Sequence, residues 1–242
     1  MATLLLRLAA PMQSWGGSSK FETRNTEPAP TKSAMVGFLA AALGRQRTDT
    51  ITDLSALRFG VRIDRPGYIH QDFHTVNKND VKYVTYRDYI EDGIFLAGFE
   101  SDDIDFLKKI EYAIKHPVFP LFLGRKACPP TLPIVLGIRQ ETLQESLANE
   151  PCLSKEAEGK NLHILMDIGK NAPMNDKRSD FPISFDSRKR QHTGRGIHVC
   201  YTQGIVVEET IKEEQPKKKK PRTTTGHDAF NIMSEHDAFA VY

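Results

Sequence analysis

Two stretches with helical periodicity are set between four with strand character, and this interleaving limits the fold more than any other feature of the chain. In ATLLLRLA, Leu4, Leu6 and Leu8 share one face of a strand, and Leu5 and Arg7 share the other. In RFGVRID, Phe59, Val61 and Ile63 face inward, and Arg58, Arg62 and Asp64 face outward. GIFLAGFE is apolar throughout and reads as a strand buried on both faces, and TLPIVLGI supplies a fourth strand. The first helix is APTKSAMVGFLAAALGR. Thr31 or Ser33 caps it, Ala34 to Leu43 propagate it, and Gly44 ends it, with Arg45 and Arg47 near the negative end of its dipole. The second is SDDIDFLKKIEYAIKHP. Ser101 or Asp102 caps it, Ile104, Leu107, Ile110 and Ile114 form its stripe, and Pro117 stops it.

The resulting order is strand, helix, strand, strand, helix, strand. That is a ferredoxin-like, RRM-like βαββαβ domain of the α+β class, over residues 1–138. A hairpin over about 66–90 interrupts it, because aromatic and β-branched residues flank the Asn77-Lys78-Asn79-Asp80 turn. Residues 139–207 read as a small strand-rich C-terminal part, with strands in NLHILMDI and RGIHVCYTQGIVV and loop between. Residues 208–242 read as a basic, partly flexible tail: Lys217–Lys220 repel one another, and prolines flank them. HDAF occurs twice in that tail, too closely spaced for a solenoid repeat.

Net charge is only +2, so no global field attracts nucleic acid, but the charge is unevenly spread. Residues 87–111 hold 3 basic and 8 acidic side chains, whereas residues 177–222 hold 12 basic and 6 acidic. Such a chain can bind a polyanion on one side and dock neighbours on the other. Cys128, Cys152 and Cys200 form no CxxC, which argues against a disulfide framework or zinc site and suits a reducing cytoplasm. Arg7 breaks the N-terminal apolar run, so it is not read as a secretory signal.

Several stretches could carry function. Gln13, Ser14 and Trp15 stand beside Gly16 and Gly17, where the bare backbone could approach a ligand; Trp15 is either a stacking surface or a plug under the loop. Thr31-Lys32-Ser33 opens a helix and would suit a phosphate, although a plain cap with an exposed lysine is simpler. The glycines of a Walker A loop are absent, which counts against a nucleotide-binding enzyme. Gly124-Arg125-Lys126 combines close backbone approach with charge. The hairpin's His70, His74, Lys78, Lys82, Tyr83 and Tyr86 suit RNA, by charge to phosphate and stacking to splayed bases. Arg188-Lys189-Arg190, with His192 and Arg195, is a second basic stretch. His70 and His74 on one ribbon face, helped by Lys82 or Tyr86, would be the acid and base of a ribonuclease. Asp102, Asp103 and Asp105 are dipole partners at a helix start rather than metal ligands.

RLAAPMQSWG, PAPTKSAMVGFLAAALG, FHTV, TYRDYI and LGRKACPP follow one another over Leu4 to Leu136. With these motifs the chain resembles the CasD family, the fifth-family CRISPR-associated (RAMP superfamily) subunits of type I, E-subtype Cascade complexes. The resemblance implies a RAMP domain with a hairpin thumb that grips the 5′ handle of the crRNA. It further implies contacts with the Cascade large subunit and the backbone subunit, and no cofactor. In the E subtype the family is non-catalytic. A C-subtype relative is a metal-independent endoribonuclease using Tyr, Lys and His, and here only Lys115-His116 offers such a pair. The expected RNA-binding set is Gln13, Ser14, Trp15, Gly16, Lys32, Ser33, Arg45, His74, Lys78, Lys82, Tyr86, Gly124, Arg125 and Lys126.

Overall fold

The computed structural model describes residues 1–16, 23–78, 81–168 and 176–206. Its main strands are β1 (Ala2–Ala9), β2 (Arg58–Arg65), β3 (Tyr68–Lys78), β4 (Val81–Glu91), β5 (Ile94–Ser101), β6 (Val135–Arg139), β7 (Asn161–Asp167), β8 (Asp176–Ser184) and β9 (Gln191–Gln203). The helices are α1 (Lys32–Ala42), α2 (Thr52–Ala56), α3 (Ile104–Lys115) and α4 (Leu143–Asn149). Among the described residues no helix is long and apolar enough to cross a membrane.

Seven strands form one antiparallel sheet in the order β6-β1-β5-β2-β7-β9-β8. The first four carry the interleaving legible in the sequence: β1–α1–β2 straddles β5, and β5–α3–β6 straddles β1. The C-terminal strands extend the same sheet, since β7 pairs with the outer edge of β2. The tail and its HDAF copies lie outside the described residues.

Both faces of the sheet are covered at its centre. Leu4, Leu6 and Leu8 face the large core with Met35, Leu39, Leu107 and Ile110 of the helices, and Phe59 and Phe99 pack at 5.2 Å. Leu5 faces a second cluster with Leu96, Leu143, Leu147, Ile164 and Met166, built under α4. Burial of such side chains contributes about 1.5–3 kcal/mol each.

The second face corrects the outward assignment of Arg62 and Asp64. Both are buried and paired, Nε to Oδ1 at 2.7 Å. Arg62 also donates to the carbonyls of Leu147, Glu150 and Pro151, and so satisfies the end of α4. Thr142-x-x-Glu145 is a complete capping box. The caps of the longer helices are Thr31 for α1 and Asp103, rather than Ser101 or Asp102, for α3. Ser101 instead accepts the Asp103 amide at 3.1 Å.

The hairpin of β3 and β4 projects beside the sheet, and its turn residues 79–80 lie outside the described set. Met12–Gln13 pairs with the base of β4, and Thr23–Arg24 runs parallel to it.

Candidate nucleic-acid interface

The two motifs that most mark the sequence, APMQSWG and LGRKACP, touch backbone to backbone. The Ser14 amide donates to the Leu123 carbonyl at 3.1 Å. Gly124 has φ +87°, and a Cβ there would stand 1.6 Å from the Ser14 carbonyl oxygen. Only glycine permits both. This junction forms one wall of a groove of about 1080 Å³.

Residues from Arg24 to Glu27 and the start of α1 continue the lining, and β8 with the start of β9 closes it. Its charged lining comprises Arg24, Arg125, Lys177, Arg178 and Arg190 against Glu27, Asp176 and Asp180. Asp180 is already neutralised by Arg195, so the open surface is basic. Arg125 lies over the Tyr89 ring at 4.4 Å, and its Nη2 donates to the Arg24 carbonyl at 2.9 Å.

The loop after β1 divides into support and surface. Trp15 is 1% exposed and meets Phe95 edge-on at 6.4 Å, so it is the plug and cannot stack on a base. Gln13 is fully buried and donates Nε2 to the Gly93 carbonyl at 2.6 Å. Both leave the expected interface. Ser14 and Gly16 line the groove, and Gly17 lies outside the described residues.

Lys32 is the main correction. It is neither exposed nor free for phosphate: its Nζ is 2.7 Å from Asp167 Oδ2 and 2.9 Å from the Leu57 carbonyl. Burial lowers its pKa, against the pull of Asp167. Asp180 Oδ2 accepts the Lys32 amide at 2.8 Å, so the chain's own carboxylate takes the anion position at the start of α1. Arg195 joins Asp167 to Asp180 and is likewise spent inside. Burial opposes ionisation of Asp180, but Arg195 and the Lys32 amide outweigh it and hold the carboxyl below its ordinary 3.8. Ser33 remains at the groove.

Other expected residues separate. Arg45 is clamped to Asp53 and the Thr50 carbonyl and does not line the groove. Lys126 is exposed next to Arg125. On the hairpin, Phe73 pairs with Tyr86 and Asn77 with Lys82 on one face, whereas His70 pairs with Tyr89 and His74 with Thr85 on the other. The histidines share a face, as expected, but Lys82 and Tyr86 lie on the opposite one. His74 Nε2 sits 2.8 Å from Asp72 Oδ2. Lys82 and Tyr86 are exposed, and the Lys78 side chain lies outside the described residues. His116 packs on Tyr112 at 4.5 Å, one turn back on α3.

Sequence reasoning missed Arg24, Asn25, Lys177 and Arg178. The first two sit in a Pro/Thr-rich loop with no periodicity, and the last two open β8, whose charges and proline give no strand signature. In the sequence His192 stands out only as part of a charge run. In the groove its Nε2 accepts from Arg190 Nε at 3.1 Å, and burial together with Arg190 lowers its pKa. Among the described residues no three His, Cys, Asp or Glu side chains come together as metal ligands.

Known proteins match this architecture. A family model described as CRISPR-associated protein (Cas_Cas5) covers residues 3–197. The CRISPR system Cascade subunit CasD of Escherichia coli (strain K12) is 34% identical, over 60% of this chain and 75% of that protein. A solved structure described as a CRISPR RNA-guided surveillance complex superposes with TM-score 0.70 at 31% identity, over 84% of this chain and 90% of its own. A second, described as the crystal structure of a Cas protein, gives TM-score 0.67 at 35% identity, over 84% of this chain and 97% of its own. The chain belongs to the Cas5 family of CRISPR-associated proteins.

Proposed function

We propose that this chain is a non-catalytic subunit of a Cascade-type surveillance complex and holds the 5′ handle of the crRNA in the groove between the Ser14–Gly124 junction and β8. The observation that carries this reading is the basic lining itself: Arg24, Arg125, Lys177, Arg178 and Arg190 come from segments far apart in sequence and converge on one surface. A flexible polyanion is the ligand such a surface suits. The similarity to CasD supports the Cascade setting. The interleaved four-strand half of the sheet fits the ferredoxin-like RAMP domain expected of this family.

The hairpin suits protein neighbours as much as RNA. Ile69, Phe73, Val84 and Tyr86 lie on one face and are each at least 44% exposed. We assign this thumb face to the backbone subunit and the acidic stretch around α3 to the large subunit.

The non-catalytic half of the proposal rests on dispersal. A metal-independent ribonuclease needs an acid and a base within reach of one phosphodiester. His70 and His74 share a face but stand four residues apart along β3, about 13 Å, Lys82 and Tyr86 lie across the ribbon from them, and His116 is stacked on its own helix. The test is fluorescence anisotropy with labelled handle RNA. Arg178→Ala with Arg190→Ala should weaken binding strongly, and Arg45→Ala should leave it unchanged. Equal affinity for all three proteins would refute the groove.

A further inference from the structure

The segment Thr23–Glu27 is paired along its backbone, while Arg24, Asn25 and Glu27 turn polar side chains to the groove. Thr23 and Arg24 pair with Tyr86 and Arg87, and Thr26 and Glu27 pair with Gly16 and Trp15. Thr26 Oγ1 accepts the Trp15 amide at 2.8 Å and donates to the Glu27 carbonyl at 3.0 Å. The Arg24 carbonyl accepts from Arg125 at 2.9 Å. Arg24, Asn25 and Glu27 all line the groove, and among the described residues none of their side chains has a hydrogen bond or ion pair. A rigid backbone presenting unpaired polar side chains is preorganised for a ligand.

Glu27 is out of place in a phosphate groove. Of the other two carboxylates there, Asp180 is held on both oxygens by Arg195 and the Lys32 amide, and Asp176 has one oxygen on the adjacent Lys177 amide at 2.7 Å. A bare carboxylate repels phosphate, so the strand's backbone must pass it by and a base must face it. Ionised, it only accepts, through two oxygens side by side. Guanine alone carries two adjacent donors, N1–H and N2–H, on its Watson–Crick edge. Adenine and cytosine set one donor beside an acceptor, and uracil sets its single N–H between two carbonyls. That edge is open to a side chain only in unpaired RNA.

We infer that Glu27 reads one unpaired guanine of the bound RNA, with Arg24 and Asn25 holding the phosphate and sugar beside it. This rests on the RNA-binding reading above. It makes Glu27 a specificity determinant rather than an affinity one.

The test uses the full-length chain and its own repeat-derived handle RNA, each guanine replaced in turn by inosine, which lacks the N2 amino group. One inosine position should weaken wild-type binding about tenfold. Glu27→Gln should lose a similar factor on the parent RNA and be indifferent to inosine at that position. Glu27→Gln tightening every RNA alike, as removal of a stray negative charge would, overturns the inference. A flat inosine scan on wild-type protein that still binds RNA overturns it while leaving the RNA-binding reading intact. Wild-type protein that binds no handle RNA overturns both. The wild-type scan decides even where the variant folds poorly.

Discussion

Lys32 Nζ lies 2.7 Å from Asp167 Oδ2, and this pair ties the first turn of α1 to the end of β7. Arg195 bridges Asp167 to both oxygens of Asp180, and Asp180 Oδ2 also accepts the Lys32 amide, so helix, sheet and C-terminal ribbon share one buried network. The network fixes β8 and β9 against the start of α1, on the side of the basic groove across from the Ser14–Gly124 junction. It separates residues that build the groove from residues that face the ligand, and each class has its own signature.

Lys32→Met should destabilise the fold by about 3 kcal/mol, because it removes one partner of a buried pair. The slope of RNA affinity against salt should not change, since no phosphate contact is lost. Urea unfolding and a salt titration on the same variant check both halves. A changed salt slope would return Lys32 to the interface.

Arg178→Ala should do the reverse. It should leave the unfolding midpoint nearly unmoved and lower the salt slope by about one ion per lost phosphate contact. Arg24→Ala and Lys177→Ala should behave alike. Unfolding with no change of slope would place these residues in the scaffold instead.

Gly124→Ala should cost at least about 1–3 kcal/mol from the backbone conformation alone. The new Cβ would also collide with the Ser14 carbonyl, so the loop after β1 must shift. Handle affinity should fall with stability, as read by thermal melting and anisotropy together. A variant with wild-type melting and affinity would contradict the Ser14–Gly124 junction.

The chain has a single tryptophan, and Trp15 is 1% exposed, which makes it an internal probe. Its emission should be blue-shifted and resistant to acrylamide, and RNA should not quench it by stacking. Strong quenching on RNA addition would restore the stacking role. Trp15→Ala should cost about 3–5 kcal/mol.

Acid should loosen the C-terminal ribbon. Asp180 has a folded pKa below its ordinary 3.8, so its contribution is complete above that value and fades as pH falls through the lower one. Stability should therefore drop more steeply below about pH 4 in the wild type than in Asp180→Asn. Parallel acid profiles would remove Asp180 from the balance.

The sheet's first half was legible because Leu4, Leu6, Leu8, Phe59 and Val61 alternate cleanly and Gly44 stops α1 where the periodicity ends. The second half was not. β8 carries charges and Pro182 on an edge strand, which hides it, and Arg62 reads as outward until α4 is placed over it. The capping box at Thr142–Glu145 was present in the sequence and marks α4 without any structure. At the site, Gly124 and Ser14 were legible as a backbone approach, but not their contact with each other. Lys32 misled because a lysine at a helix start looks exposed. Only the fold brings Asp167 and Asp180, some 130 to 150 positions away, to its side.

The most direct measurement mixes the full-length chain, in EDTA, with its own repeat RNA labelled at the 5′ end, and resolves the products on native and denaturing gels. A retarded band whose RNA is intact is the predicted result. RNA cut at one position in the repeat would contradict the account and make the chain a processing nuclease, and RNA that is neither bound nor cut would contradict the groove itself.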